Sequence, residues 1–197
     1  MLSNGPQAIF PFQDEIILED ERVLLRPLHE EDTQELYSYV LSEPELFTYA
    51  LRPMGSRSDL EYYIEQALIQ REQGLEYPFV VIDKESGLVA GTTRFYLINS
   101  THLWLAIGYT WIGKRFQRTG LNRSMKELML KFSFQQLGFH RVEFRVDSEN
   151  TRSIKSLESI GARVEGELRD HMYRGDGSRR NTIILSLIQS DFGYTRK

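Results

Sequence analysis

Between Gly113 and Met125 lies a run suited to holding a polyanion. It carries Lys114, Arg115, Arg118 and Arg123, and no carboxylate interrupts it. The apolar spacing downstream predicts a helix starting at about Arg118. A helix start exposes backbone N–H groups without intrahelical partners and carries a partial charge of roughly +0.5, so it favours anions and disfavours cations. Basic side chains at that end of the dipole are explained if phosphate lies between them and the N–H groups. Gly120, inside the run, would let the backbone approach such a ligand closely. Charge alone leaves a solvated basic helix start as the plain alternative. Nucleotide patterns are absent: there is no complete G-x-x-x-x-G-K-[ST], and no G-x-G-x-x-G after an early strand.

Other residues with chemical potential are sparse. Asn150 opens a predicted helix and is a favoured N-cap, with Ser153 in the first turn behind it. His29, His102 and His140 read as surface or packing residues. His171 follows a strand leading to the turn at Asp176-Gly177, a substrate rim, and is the candidate base or amine contact. Glu143 alternates out of an apolar strand and is a second candidate for lining a cleft. A water chain to solvent would serve equally well as a base. The chain has no cysteine, which excludes disulfides, thiolate metal sites and an acyl-cysteine intermediate, so acyl transfer would be direct. No metal site is expected.

The elements that must position these residues follow from periodicity. Residues 1–15, with Gly5, Pro6 and Pro11, read as a loose lead-in. A strand is predicted at Arg22–Arg26, then a short helix through Leu36, Tyr37, Val40 and Leu41. After a loop with Pro44, Pro53 and Gly55, Ser58-x-x-Glu61 reads as a capping box. The helix behind it buries Leu60, Tyr63, Ile64, Ala67 and Leu68, and Gly74 ends it. Phe79–Ile82 and Leu88–Leu97 form a hairpin, and Leu103, Leu105 and Ile107 alternate into a strand ending near Trp111-Ile112. The longest helix is expected from Arg118 to Leu137, with Leu121, Met125, Leu128, Met129 and Phe132 on its apolar face and Gly138 as its stop. A strand through Val142, Phe144 and Val146, a helix from Asn150 to Ile160, and strands at 163–169 and 181–188 complete the chain. The order is β-α-α-β-β-β-α-β-α-β-β, a mixed sheet with helices on both faces.

Three stretches, in order, resemble the GNAT acetyltransferases, specifically the RimJ/RimL-like branch. Gln117-Arg118-Thr119-Gly120-Leu121-Asn122 is similar to the Q/R-x-x-G-x-G/A motif, with Asn122 where Gly or Ala is usual. Ile107-Gly108-Tyr109-Thr110-Trp111-Ile112 resembles the strand before it, and Asn150-x-x-Ser153 followed by Gly161-Ala162 resembles the segment after it. The resemblance implies an α/β GNAT fold: a mostly antiparallel sheet of about seven strands whose central strands splay into an acyl-CoA cleft. It implies acetyl-CoA as cosubstrate, its pyrophosphate on the backbone of Arg118, Thr119, Gly120, Leu121 and Asn122 with Gln117 beside it, and its pantetheine arm along Trp111 and Ile112. Arg115, Arg118 or Arg123 would reach the adenosine phosphate, and Asn150 would contact the pantetheine. A serine three residues after the Asn helps the leaving thiolate in this branch, which gives that role to Ser153. The tyrosine acid of many relatives would fall at Leu157, so this chain lacks it. The loop with Phe47, Tyr49 and Arg52 would shape the acceptor pocket, for a protein N-terminus or a small amine.

Composition bounds the rest. At 197 residues the chain is expected to form an N-terminal extension (1–20), one catalytic domain (21–192) and a short tail (193–197). That length buries about 70% of the unfolded surface. Apolar residues at 41% and charged residues at 26% are a globular balance, with no membrane span and no signal peptide, so a cytoplasmic protein is expected. A net charge of −4 and the lack of interleaved aromatic and basic residues argue against a nucleic-acid partner. A homodimer is compatible with the fold. A non-catalytic acyl-CoA-binding module and a transferase for longer acyl chains remain alternatives.

Overall fold

The computed structural model describes residues 8–192. Eight strands form one sheet: β1 (Leu18–Glu19), β2 (Val23–Pro27), β3 (Tyr77–Asp83), β4 (Leu88–Asn99), β5 (Trp104–Ile112), β6 (Arg141–Asp147), β7 (Arg163–Tyr173) and β8 (Arg179–Ile188). Their spatial order is β1-β2-β3-β4-β5-β6-β8-β7, antiparallel throughout except for the pair β5–β6. The extra strand relative to the expected seven is β1, too short to leave an alternation in the sequence.

Helices cover both faces. Helix α1 (Thr33–Ser42) and helix α2 (Arg57–Glu72) bury Leu36, Val40, Leu60, Ile64 and Ala67 against Val80, Val89 and Trp111. Helix α3 (Leu121–Lys131) and helix α4 (Thr151–Glu158) lie with the larger core, where Leu121, Met125, Met129 and Leu157 meet Phe79, Val81, Leu105, Val142 and Phe144. Strand β3 is covered on both sides, which is why it reads as an unbroken apolar run. A last short helix, α5, spans Gln189–Phe192.

Several boundaries differ from expectation for identifiable reasons. The cap of α2 is Ser56, whose hydroxyl accepts from the Asp59 N–H at 3.1 Å, while Asp59 accepts from the Ser56 N–H at 2.9 Å; Ser58 and Glu61 are not the box. Asp substitutes for the usual Glu in that motif, so the pattern was matched two residues late. Helix α3 starts at Leu121 rather than Arg118, and after Lys131 it widens into a π turn over Phe132–Gln136, leaving α2 as the longer α-helix. Strands β7 and β8 extend further toward their turn than alternation suggested.

The lead-in is not loose from residue 8 onward. Phe10 is buried among Phe12, Tyr77, Phe95 and Phe132 at centroid distances of 4.7 to 6.5 Å. The Tyr77 hydroxyl donates to the Asp14 carbonyl at 2.6 Å and accepts from the Ile16 N–H at 2.9 Å. Burying one such phenyl ring contributes roughly 2–3 kcal/mol. The expected tail at 193–197 lies outside the described residues.

One irregularity in β5 matters for the site. Thr92 pairs with Trp111 and Arg94 with Gly108, so Thr93 faces both Tyr109 and Thr110: a bulge, with Tyr109 at φ 52°. Before it, Leu105 and Ile107 face the α3 core; after it, Thr110 and Ile112 do.

Candidate active site

Strands β5 and β6 pair only from Trp104–Arg141 to Ala106–Glu143. Beyond that, β5 continues beside β4 as far as Ile112, and β6 beside β8 as far as Asp147. The two strands therefore part, and the facing edges of residues 107–112 and 144–147 border a gap. The splayed sheet implied by the motifs is present, and the bulge at Tyr109 sits on the diverging portion of β5. The starts of α3 and α4 follow the two parted strand ends directly.

The loop into α3 is built to present N–H groups. Arg118 has φ 63° and Gly120 φ 91°, so the chain turns through left-handed backbone twice before the helix begins. Among the described residues the N–H groups of Arg118, Thr119, Gly120, Asn122 and Arg123 meet no acceptor; the first intrahelical bond is from Ser124 to the Gly120 carbonyl at 3.0 Å. A Cβ on Gly120 would meet nothing within 4 Å, so the space before these groups is open. The loop is held from behind. Gln117 Nε2 donates to the Ile112 carbonyl at 2.8 Å, its Oε1 accepts from Arg152 at 2.7 Å, and the Thr119 hydroxyl donates to the Phe116 carbonyl at 2.7 Å. Gln117 and Thr119 thus position the loop, with their side chains turned into it.

Asn122, at the usual Gly or Ala position, donates from Nδ2 to the Ser156 hydroxyl on α4 at 3.2 Å. Its side chain ties α3 to α4. The basic cluster is partly neutralised: Lys114 pairs with Glu45, distant in sequence, and Arg123 with Glu127 one helical turn on, at 3.0 Å. Arg115, stacked on Phe116, and Arg118 are exposed and carry no ion pair among the described residues.

Across the gap, Asn150 caps α4, its Oδ1 accepting from the Ser153 N–H at 3.1 Å. Ser153 is half-buried, and its hydroxyl forms no hydrogen bond among the described residues. Leu157 is a core residue, 5% exposed. Trp111 is buried between Tyr39 and Phe47 on the opposite face, so only its backbone borders the gap.

That opposite face carries a polar cluster. Tyr49 donates to the Glu149 carbonyl at 3.3 Å, and the Gly175 N–H donates to the Ala50 carbonyl at 2.9 Å, so the α1–α2 loop rests on the lead-in to α4 and on the β7–β8 turn. Arg52 is exposed and stacks on Tyr62 at 5.2 Å. His171 lies on β7 itself, since the strand runs to Tyr173, and its Nδ1 shares a hydrogen bond with Thr182 at 3.1 Å. Partial burial, then the charges of Arg145, Arg180 and Arg179, hold this imidazole below the usual histidine value. Glu143 is bonded to Arg141 at 2.9 Å and Arg145 at 3.3 Å, which engages both its oxygens and removes it as a free base. His29, His102 and His140 are exposed.

Sequence reasoning passed over several residues here. Arg94, 4% exposed, donates to Glu76 at 2.7 Å and lies between the rings of Tyr63 and Tyr109, at 4.7 and 4.1 Å. Arg180 is 7% exposed. Lys126, 5% exposed, donates to the Thr110 hydroxyl at 2.9 Å and sits 5.6 Å over the Phe144 ring, spanning the parted strands from the α3 side. Burial alone draws its ammonium down to about 7. For Arg94 the available signal was a single cation within a largely apolar strand. No group of His, Asp and Glu among the described residues is arranged to hold a metal, and no described helix is long and apolar enough to cross a membrane.

Comparison with known proteins supplies the family. Residues 22–163 match the acetyltransferase (GNAT) domain. The chain is 30% identical over 173 residues to p20, an uncharacterised N-acetyltransferase of Bacillus licheniformis, covering 87% of this chain and 96% of that protein. It is 25% identical over 170 residues to a spermidine N(1)-acetyltransferase of Escherichia coli, covering 86% and 88%. The crystal structure of a GCN5-related N-acetyltransferase from Brucella melitensis superimposes with a TM-score of 0.88 at 27% identity, over 98% of this chain and 86% of that one. A domain match over most of the chain, and relatives spanning nearly all of it, leave one conclusion: this chain belongs to the GNAT family of N-acetyltransferases.

Proposed function

We propose that the protein transfers an acetyl group from acetyl-CoA directly to a primary amine within a ternary complex, as a cytoplasmic enzyme of one catalytic domain. The observation that carries this reading is the coincidence of the parted β5–β6 edges with the N–H groups of Arg118, Thr119, Gly120, Asn122 and Arg123, which meet no acceptor among the described residues. Acetyl-CoA supplies the acyl group already activated as a thioester. The N–H groups from Arg118 to Asn122, and that of Arg123, would hold its pyrophosphate, with Arg115 and Arg118 available to the adenosine phosphate. The free edge of β5 near Trp111 and Ile112 would accept the pantetheine arm, beside Asn150. Backbone N–H on that edge would polarise the thioester carbonyl, where developing charge is worth most to stabilise.

The acceptor must lose a proton to become nucleophilic. His171 suits that role, because an imidazole held below its ordinary value is neutral and able to accept a proton near pH 7. In the tautomer whose Nδ1–H donates to Thr182, Nε2 would be the basic atom. The amine nitrogen bonds the acyl carbon as the carbon–sulfur bond breaks, and the proton lost by the amine ends on the departing thiolate. Ser153, its hydroxyl unengaged among the described residues, would donate to that sulfur. Tyr49 and Arg52 form the rim on the acceptor side. Resemblance to the RimJ/RimL-like branch supports a protein N-terminus as acceptor, and the likeness to a polyamine enzyme supports a small amine.

A non-catalytic acyl-CoA-binding module is the second reading, favoured by the buried Leu157 in place of a tyrosine acid. Calorimetry with acetyl-CoA, beside thiol release over a panel of amines and N-terminal peptides, separates the two. Micromolar binding with turnover is expected. Binding without turnover on any acceptor would favour the module, and no binding would refute the cleft assignment.

A further inference from the structure

On the acceptor face, Arg180 has no bonded counter-ion among the described residues, and Asp147 acts on it only through space. Arg180 on β8 is 7% exposed, forms no ion pair or hydrogen bond among the described residues, and has a fully enclosed Nε. Enclosing a guanidinium without a counter-ion is strongly unfavourable, and the usual remedy is a bound anion. Neighbouring carboxylates are already committed. Asp147 accepts two bonds from Arg174, at 2.7 and 3.0 Å, and Glu143 is shared by Arg141 and Arg145. Arg145 Nε is likewise enclosed without an acceptor.

Other donors point to the same space. A Cβ on Gly108 would come within 2.7 Å of the Tyr96 ring, so that ring lies across β5 toward the gap. The Tyr96 hydroxyl has no hydrogen-bond partner among the described residues, and its charge environment includes Arg145, Glu143 and Arg180. His171, the candidate base, is within reach of Arg145 and Arg180 as well. The α1–α2 loop closes this side, with the backbone of Arg52 and Pro53 packed so tightly on Gly175 that a Cβ there would approach to 2.5 Å. Such closure suits a compact acceptor better than an extended polypeptide. A polycation would set its second ammonium against arginine.

We infer that the acceptor is a small amine carrying an anionic group, carboxylate or phosphate, that binds Arg180 with Arg145 and the Tyr96 hydroxyl beside it. The inference rests on the transferase reading above and narrows its substrate class.

Thiol release by the full-length protein with acetyl-CoA tests it. The acceptors are ω-amino acids from glycine to 6-aminohexanoate, aminoalkyl phosphates, alkylamines of matched length, spermidine and a peptide with a free N-terminus. At least one anionic amine should exceed its neutral match in kcat/KM by about 10- to 100-fold, as a charge-assisted bond to an enclosed guanidinium allows. The carboxylate and phosphate arms identify the anion. Arg180→Met should bring the ratio toward one, and Arg180→Lys should keep part of it. Equal or better turnover of alkylamines, spermidine or the peptide overturns the inference while leaving the transferase reading intact. If no amine is turned over, that reading fails, and the anion site is tested by calorimetry with coenzyme A present. N-acetylated ω-amino acids should then bind more tightly than their uncharged amides, in an Arg180-dependent way; indifference overturns the site. Arg180→Met should melt no lower than wild type, since it removes an unpaired enclosed charge.

Discussion

At the α3 end of the cleft the groups proposed to face the ligand belong to the backbone between Arg118 and Arg123, and open onto solvent. At the proposed acceptor end they are side chains drawn from β4, β6, β7 and β8: Tyr96, Arg145, His171 and Arg180. Arg180 is almost wholly enclosed. The first end needs only a local conformation, so many side chains could fill it as long as Gly120 keeps its φ. The second needs long-range pairing of strands in the right register, and a change of one side chain alters what it binds. A GNAT chain can therefore keep its cosubstrate while its acceptor changes.

The sharpest way to break this comparison is at Gly120. A β-branched residue at φ 91° is strained and would put methyl groups into the open space before the N–H run. Gly120→Val should weaken acetyl-CoA binding by about 100-fold in calorimetry, a loss of about 2.7 kcal/mol; an unchanged Kd would take the backbone run out of the site. His171→Ala tests the other end. It should cut kcat by about 10- to 100-fold and leave acetyl-CoA affinity alone. Because the folded protein holds this imidazole below 6.5, wild-type kcat should fall only as pH drops beneath that value, and the variant should lose this acid limb. Persistence of the limb would assign it to another group.

A third test concerns stability. Lys126 binds its proton less tightly when folded than when unfolded, so it costs stability once pH falls below about 10, most fully below its folded value of about 7. Lys126→Met should therefore stabilise the protein by roughly 2 kcal/mol at pH 6, as judged by denaturant midpoint, and the gain should vanish near pH 10.5. A destabilised variant would mean that its bond to Thr110 matters more than its burial. Arg118→Ala, at the exposed end, should weaken acetyl-CoA binding least, by about 2- to 5-fold, and the effect should shrink with salt. A salt-independent loss would point to a backbone change at its φ of 63°.

The same contrast decides what could be read from the sequence. The turn at Gln117–Gly120 and the Asn150 cap were legible because their bonds span a few residues, whereas the reach of Asn122 to Ser156 on α4 was not. Ser56 was misjudged in favour of Ser58 because two serines two apart compete for one motif. Phe10 was missed because two aromatics either side of Pro11 establish no period, yet it closes the core against Phe95 and Phe132. Arg94 interrupts a largely apolar strand only once, while Lys126 and Arg180 share their elements with other charged residues that are exposed. What surrounds them comes from strands up to eighty or more residues away, which no local pattern encodes. Counter-charges behave likewise: Glu45 neutralises Lys114 from a loop on the other side of the sheet.

The bulge at Tyr109 also sets the parity of β5. Odd-numbered residues face α3 before it, at Leu105 and Ile107, and even-numbered residues do after it, at Thr110 and Ile112. Straightening the strand at its present length would exchange its faces downstream. Trp111 would then turn into the α3 core, and Ile112 would be left facing Tyr39 and Phe47. The extra residue opposite Thr93 is what prevents this, and deleting one residue between Gly108 and Thr110 should remove the bulge while keeping Trp111 and Ile112 on their present faces.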